Sequence, residues 1–375
     1  MNHRIGIWII VIAVLFGGIW YWQSSKVNSI STSQEPIKIG GLISLTGVAA
    51  TFGEMSKMGI DLAVEEINAK GGIKGRMVQV IIEDDQTDPK VAVGLYHKFT
   101  GIDNVDGIIG SNFDFVTQAV FPLAKNGDTV LLVPSSPRIP GAFDTNEKSF
   151  IMMTDFEKIL EAFRDYLQTE KYTKFAIVRF ESVFGQEITR VLKPIVEVAG
   201  KGEVIDESYK NIGQADFKTT ILKLKQAKVD LVFMDMISAD HLTFLRQAQD
   251  LNFHPKLITH NGINDALTMK DINKNLLENI IVLDWNVTTD EFTKRFKARY
   301  GQEPTKSANR AYDAVYVLAE AVSKVSSKAE IATYIEKNSF TTPNGIVKFN
   351  NNHAAENTAV GLFVIKSGKF VEYKK

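Results

Sequence analysis

From residue 37 onward, short runs of β-branched and aliphatic residues alternate with stretches whose apolar positions recur at helical spacing. The runs 37–43, 77–83, 105–110, 129–133, 175–180, 203–209, 231–236, 256–260 and 280–284 predict nine strands. Between the first two, Met55, Met58, Leu62 and Ile67 fall three to five residues apart and Gly71 and Gly72 follow. That pattern predicts an amphipathic crossover helix over 52–69 with a glycine stop. The stretches 186–199, 217–227, 240–251, 289–300 and 307–323 read the same way, and runs at 347–349, 359–365 and 370–373 predict strands that end the chain. Strand and helix in alternation are the pattern of a mostly parallel, doubly wound α/β sheet. No repeat of about 20–50 residues is present, which excludes solenoids and propellers.

Before this pattern begins, an uncharged apolar run covers 5–22, with Arg4 ahead of it and Trp20, Tyr21 and Trp22 at its far end. At about 18 residues the run is just long enough to span a bilayer. The aromatic belt and the leading positive charge orient it with the rest of the chain outside the cytoplasm. An A-x-A-like cleavage site is missing, so the run predicts an uncleaved N-terminal transmembrane helix that anchors the protein to the membrane. Residues 23–35, rich in Ser, Gln, Thr and Asn, predict a tether.

With 375 residues, the chain exceeds the roughly 250 at which single cores stop growing, so two domains are expected. The balance of 43 basic and 44 acidic residues offers no electrostatic footprint for nucleic acid. Cysteine is absent, which removes disulfides, thiolate metal sites, thiol nucleophiles and any lipid-anchored cysteine. The phosphate-binding glycine patterns and the G-x-S-x-G elbow are missing too, and the spacing of His254 and His260 is no zinc signature. The acidic group Glu83, Asp84, Asp85 and Asp88 lacks the spacing of a calcium loop and reads as a capped strand-to-helix turn ending in Asp88-Pro89. These absences argue against an enzyme, a cofactor and a metal.

In open parallel sheets, small ligands bind outside the carboxyl ends of the strands. The loops in question are 44–47, 111–114, 134–138, 181–185 and 261–262, where small hydroxyl and amide residues mix with phenylalanines. A polar pocket with an aromatic wall is built from such residues.

Several segments, taken in order, resemble one family. They are Ile37-Lys38-Ile39-Gly40 with Leu45-Thr46-Gly47 and Phe52-Gly53, residues 63–75 (AVEEINAKGGIKG), Asp84-Asp85 to Asp88-Pro89, Leu245-Arg246-Gln247-Ala248, and residues 295–319 (RFKARYGQEPTKSANRAYDAVYVLA). Over about residues 36–373 the chain is similar to the branched-chain amino-acid-binding proteins, the type I periplasmic binding proteins of ABC importers. The resemblance implies two doubly wound lobes of Venus-flytrap form, joined by three hinge crossovers, that close on a small-molecule ligand. It also implies an ABC permease and ATPase as partners. The expected division is an anchor or signal segment at 1–25, a linker at 26–36, an N-terminal lobe of 37–155 with 284–342, and a C-terminal lobe of 156–283 with 343–375.

The resemblance further implies a cleft lined by Phe52, Phe113, Asp114, Ser135, Ser136, Arg138, Phe184, Ser238 and Asn261. Asp114 stands where the family holds the ligand carboxylate with a serine, and Asn261 stands where it pairs the ammonium with an acid. Ser136 and Pro137 replace a small residue and a threonine, and the two aromatic positions fall on Phe184 and on Ile237 or Ser238. An unpaired buried charge costs several kcal/mol. The expected ligand is therefore not a standard branched-chain amino acid but a neutral or cationic molecule near Asp114, or an organic anion held by Arg138. The expected function is capture for import, with ligand sensing through a separate signalling partner as the alternative.

Overall fold

The computed structural model describes residues 35–374 except 135–136, 140, 142, 199–202, 214–215, 238, 269–272, 287–288 and 357–358. The expected transmembrane run 5–22 and the tether lie outside the described residues. Among those described, no helix is long and apolar enough to cross a membrane.

Five parallel strands form the first sheet: β1 (Ile37–Ile43), β2 (Val78–Asp84), β3 (Gly107–Gly110), β4 (Val130–Val133) and β5 (Ser149–Ile151), in the order β2-β1-β3-β4-β5. The second sheet takes β6 (Phe175–Phe180), β7 (Val204–Tyr209), β8 (Leu231–Asp235), β9 (Lys256–His260) and β10 (Ile281–Asn286). Its order is β14-β13-β10-β9-β8-β6-β7, where β13 (Ala359–Lys366) and β14 (Lys369–Glu372) run antiparallel at one edge. Central strands such as β3, β4 and β8 are buried along their whole length, the burial that continuous apolar runs in parallel sheets require.

Helices cover both faces of each sheet. On one face of the first sheet lie α1 (Ala50–Ala69), α9 (Asp290–Tyr300), α10 (Lys306–Lys324) and α11 (Lys328–Lys337), and on the other lie α2 (Pro89–Gly101) and α3 (Asp114–Asn126). The second sheet is flanked by α4 (Phe156–Thr169) and α5 (Val183–Val198) on one face and by α6 (Lys218–Gln226), α7 (Ala239–Asp250) and the short α8 (Asn264–Thr268) on the other. Asp88 caps α2, its carboxylate accepting from Lys90 N at 2.7 Å ahead of Pro89. The acidic turn is thus consumed by capping: Asp84 accepts from Leu45 N and Thr46 N, and Asp85 from Thr87 N and Ser111 Oγ.

The chain leaves the first sheet after β5, returns to it after β10 and crosses again between β12 (Gly345–Lys348) and β13. Two expected boundaries move. Strand β10 stays in the second sheet to Asn286, beyond 283. Residues 345–355, expected with the second lobe, stay with the first sheet. There β12 pairs with β11 (Ser339–Thr342), Ala354 bridges Ile151, and the Phe349 ring meets Phe150 at 5.1 Å. The apolar side chains of this hairpin and its tail have their burial partners on the first sheet, and that decides where the segment goes.

Candidate functional site

A cavity of about 140 Å³ lies between the two sheets, outside the carboxyl ends of β3, β6, β8 and β9. Phe113 and Asp114 enter it from the start of α3, Phe52 from the first turn of α1, and Phe180, Ser182 and Phe184 from the β6–α5 junction. The Phe52 and Phe113 rings meet edge to face at 5.8 Å, and Phe184 meets His260 edge to face at 5.4 Å. Phe184 enters beside Gly185, where a Cβ would stand 2.3 Å from Phe180 O and 2.7 Å from Asp235 Oδ2. Only glycine lets α5 start this close to the strand end.

Two carboxylates line the cavity, Asp114 from the start of α3 and Asp235 from the end of β8. Asp114, 6 % exposed, accepts from Phe115 N at 2.8 Å and, across the cleft, from Phe184 N at 3.4 Å. Burial pushes its pKa up, with Asp235 adding to the rise, against the lowering effect of these N–H donors. Asp235 Oδ1 lies 2.8 Å from His260 Nε2. Because His260 Nδ1 accepts from Gly262 N at 3.0 Å, Nε2 carries the proton and donates to Asp235. His260 is therefore a hydrogen-bonded wall residue of the cleft.

The cations come from α10. Lys306, 8 % exposed, pairs with Asp284 of β10 and so joins the helix of one sheet to a strand of the other. Burial, and then the Arg310 charge one turn on, hold its pKa well below the ordinary lysine value. Arg310, 4 % exposed, donates to Pro134 O at 3.4 Å, and burial pulls it down to about 9. Thr305 and Ser307 complete this corner.

Of the residues expected in the cleft, Phe52, Phe113, Asp114 and Phe184 line the cavity. Asn261 opens a 3₁₀ turn after β9, between the lining residues His260 and Gly262. Ser135, Ser136 and Ser238 lie outside the described residues. Arg138 does not line the cavity: it is held by Asp144 at 2.8 Å and Asp155 at 3.2 Å, and its neighbour Pro137 reaches the wall in its place. The cleft cations Lys306 and Arg310 went unread. Their signal was a polar stripe, Lys306, Asn309, Arg310 and Asp313, at helical spacing on an otherwise apolar helix.

Two α/β sheets facing each other across a small, mixed aromatic and charged cavity define a two-lobed solute-binding protein. The chain belongs to the periplasmic binding protein family, whose model matches residues 36–369. It is 29% identical over 335 residues to Leu/Ile/Val-binding protein homolog 2 of Brucella abortus, covering 85% of this chain and 87% of that one. It is 26% identical over 330 residues to the leucine-, isoleucine-, valine-, threonine- and alanine-binding protein of Pseudomonas aeruginosa, covering 86% and 87%. Similar folds include the branched-chain amino acid transporter substrate-binding protein LivJ of Streptococcus pneumoniae with isoleucine (TM-score 0.77, 20% identity, covering 89% and 97%). Another is an ABC transporter solute-binding protein of R. palustris with benzoate (TM-score 0.77, 22% identity, covering 90% and 95%). The family implied by the sequence motifs is the one found.

Proposed function

We propose that this protein is the extracytoplasmic substrate-binding component of an ABC-type importer. It captures an amino acid or related small organic molecule by hinge closure, performs no chemistry on it, and delivers it to a permease and ATPase. The carrying observation is that the cavity is walled from both sheets, by Phe52, Asp114 and Arg310 on one side and Phe184, Asp235 and His260 on the other. A ligand touching both walls favours the closed arrangement by its differential contacts. The Asp114–Phe184 hydrogen bond and the Lys306–Asp284 ion pair cross between the walls and stabilise that arrangement. In this reading one lobe comprises 37–151 with 290–355, the other 156–286 with 359–372, and the run 5–22 anchors both outside the cytoplasmic membrane. The relatives named for Leu, Ile and Val, and the neighbours holding isoleucine or benzoate, support the ligand size.

The test is titration calorimetry with aliphatic and aromatic amino acids and monocarboxylic acids, paired with small-angle scattering. Saturable binding with a fall in radius of gyration is expected. If no member of the panel binds, the reading is wrong.

A further inference from the structure

Resting on the binding-protein reading, we propose that the cleft takes a compact ring-bearing organic carboxylate, held by its anionic group at the N-terminus of α10, in preference to a zwitterionic α-amino acid.

The start of α10 is built for an anion. This helix of 19 residues has no acidic residue in its first turn, and its N-terminal N–H groups carry the positive end of the helix dipole. Thr305 occupies the cap position, and its carbonyl accepts from Asn309 N at 3.2 Å. Its hydroxyl, on a residue 9 % exposed that lines the cavity, has no hydrogen-bond partner among the described residues. A buried hydroxyl without a partner carries a desolvation cost that a ligand oxygen removes. Lys306 and Arg310 add two buried guanidinium and ammonium groups at the same corner. Lys306 already faces the Asp284 carboxylate, and at Arg310, whose cationic form burial weakens, an incoming carboxylate supplies an opposite charge that strengthens it.

The acids, by contrast, serve the protein. Asp114 accepts from Phe184 N, in the first turn of α5, and Asp235 receives His260 on one oxygen. The other oxygen of Asp235 has no hydrogen-bond partner among the described residues and lies near Gly185 in that first turn, where the helix dipole offsets part of its negative charge. An α-ammonium group would find both oxygens of Asp114 and one of Asp235 already accepting hydrogen bonds, and only Asp235 Oδ2 open to it. A carboxylate at α10 can meet the Thr305 hydroxyl and the helix N–H groups without breaking the Lys306–Asp284 pair. The remaining wall is aromatic, from Phe52, Phe113 and Phe184, and the 140 Å³ volume matches the roughly 150 Å³ known to accommodate a single benzene-sized ring.

The experiment is calorimetry on the full-length chain with benzoate, cyclohexanecarboxylate, the neutral isostere benzamide, L-leucine and L-phenylalanine. The acids are expected to bind, and benzamide to bind at least about tenfold more weakly, the loss of one charge-assisted contact. Arg310→Gln should weaken benzoate by about tenfold and leave benzamide within about twofold, with Thr305→Val a milder version of the same. If Arg310→Gln does not fold, the benzoate-to-benzamide ratio of the wild type still decides. Equal affinity for benzoate and benzamide overturns the proposal. Binding of leucine with silence toward the ring acids overturns it as well, and leaves the binding-protein reading standing. Silence toward every probe overturns both.

Discussion

Gly59 sits inside α1, where alanine would ordinarily favour the helix by about 0.5–1 kcal/mol. Its surroundings reverse the sign. A Cβ there would stand 2.0 Å from the Ala308 carbonyl oxygen and 2.7 Å from its carbon, well inside the roughly 3.5–4.0 Å of an optimal contact. The obstacle is backbone of α10, so no side-chain rotation relieves it and the two helices must separate. Overpacking of this kind costs about 1–3 kcal/mol and here exceeds the propensity gain. The net cost of about 0.5–2.5 kcal/mol, at about 2–4 °C per kcal/mol, means that Gly59→Ala should lower Tm by about 1–10 °C in scanning calorimetry. Gly94 in α2 provides the control, since nothing lies within 4 Å of its Cβ position. Gly94→Ala should leave Tm unchanged or raise it by up to about 4 °C. Because Ala308 lies two residues from both Lys306 and Arg310, Gly59→Ala should also weaken ligand binding. A Gly59→Ala protein as stable as the wild type would refute the claim that helix contact at this glycine sets the position of α10.

Three further outcomes follow from local chemistry. Burial raises the pKa of Asp313 to about 7 even though Asn344 donates to it at 3.0 Å, so the folded state holds a proton that the unfolded chain releases near 3.8. Its contribution is therefore present in full below about pH 4 and lost as pH rises to about 7, and Asp313→Asn should gain on the wild type across that window in urea titrations. Parallel pH curves for the two proteins would count against this. Thr289 caps α9 by accepting from Phe292 N at 3.1 Å, so Thr289→Ala should cost about 1 kcal/mol and Thr289→Ser much less by chemical denaturation. Glu66 accepts from Arg295 Nη1 at 2.6 Å and from the Tyr312 hydroxyl; Glu66→Ala should cost about 1–3 kcal/mol, more than Tyr312→Phe, in the same assay.

What the sequence determined by itself was whatever neighbouring residues enforce. The spacing of Met55, Met58, Leu62 and Ile67 marks α1, and the runs that became β1, β6 and β8 are continuous because both faces of a parallel sheet are buried. Asp88-Pro89 announces the cap of α2 because an N-cap works within one turn. Phe113, Asp114 and Phe184 were legible because they lie in loops after strand ends, where doubly wound sheets place their ligands, whereas Phe52 was implied by the family resemblance.

Tertiary structure alone decided the rest. The three residues of β5 carry no period of their own and are a strand only because β4 pairs with them, and Pro122 obscures the helical pattern of α3. Arg138 appeared available beside its loop, but Asp155, seventeen residues away, claims it. Lys306 and Arg310, nearly two hundred residues beyond Asp114, enter the cleft because α10 crosses α1 at Gly59, a contact set by backbone approach between distant segments. Helices and strands are local responses to short-range periodicity. The charge balance of a cleft depends on which distant side chains are desolvated together, and the packing of the lobes makes that choice.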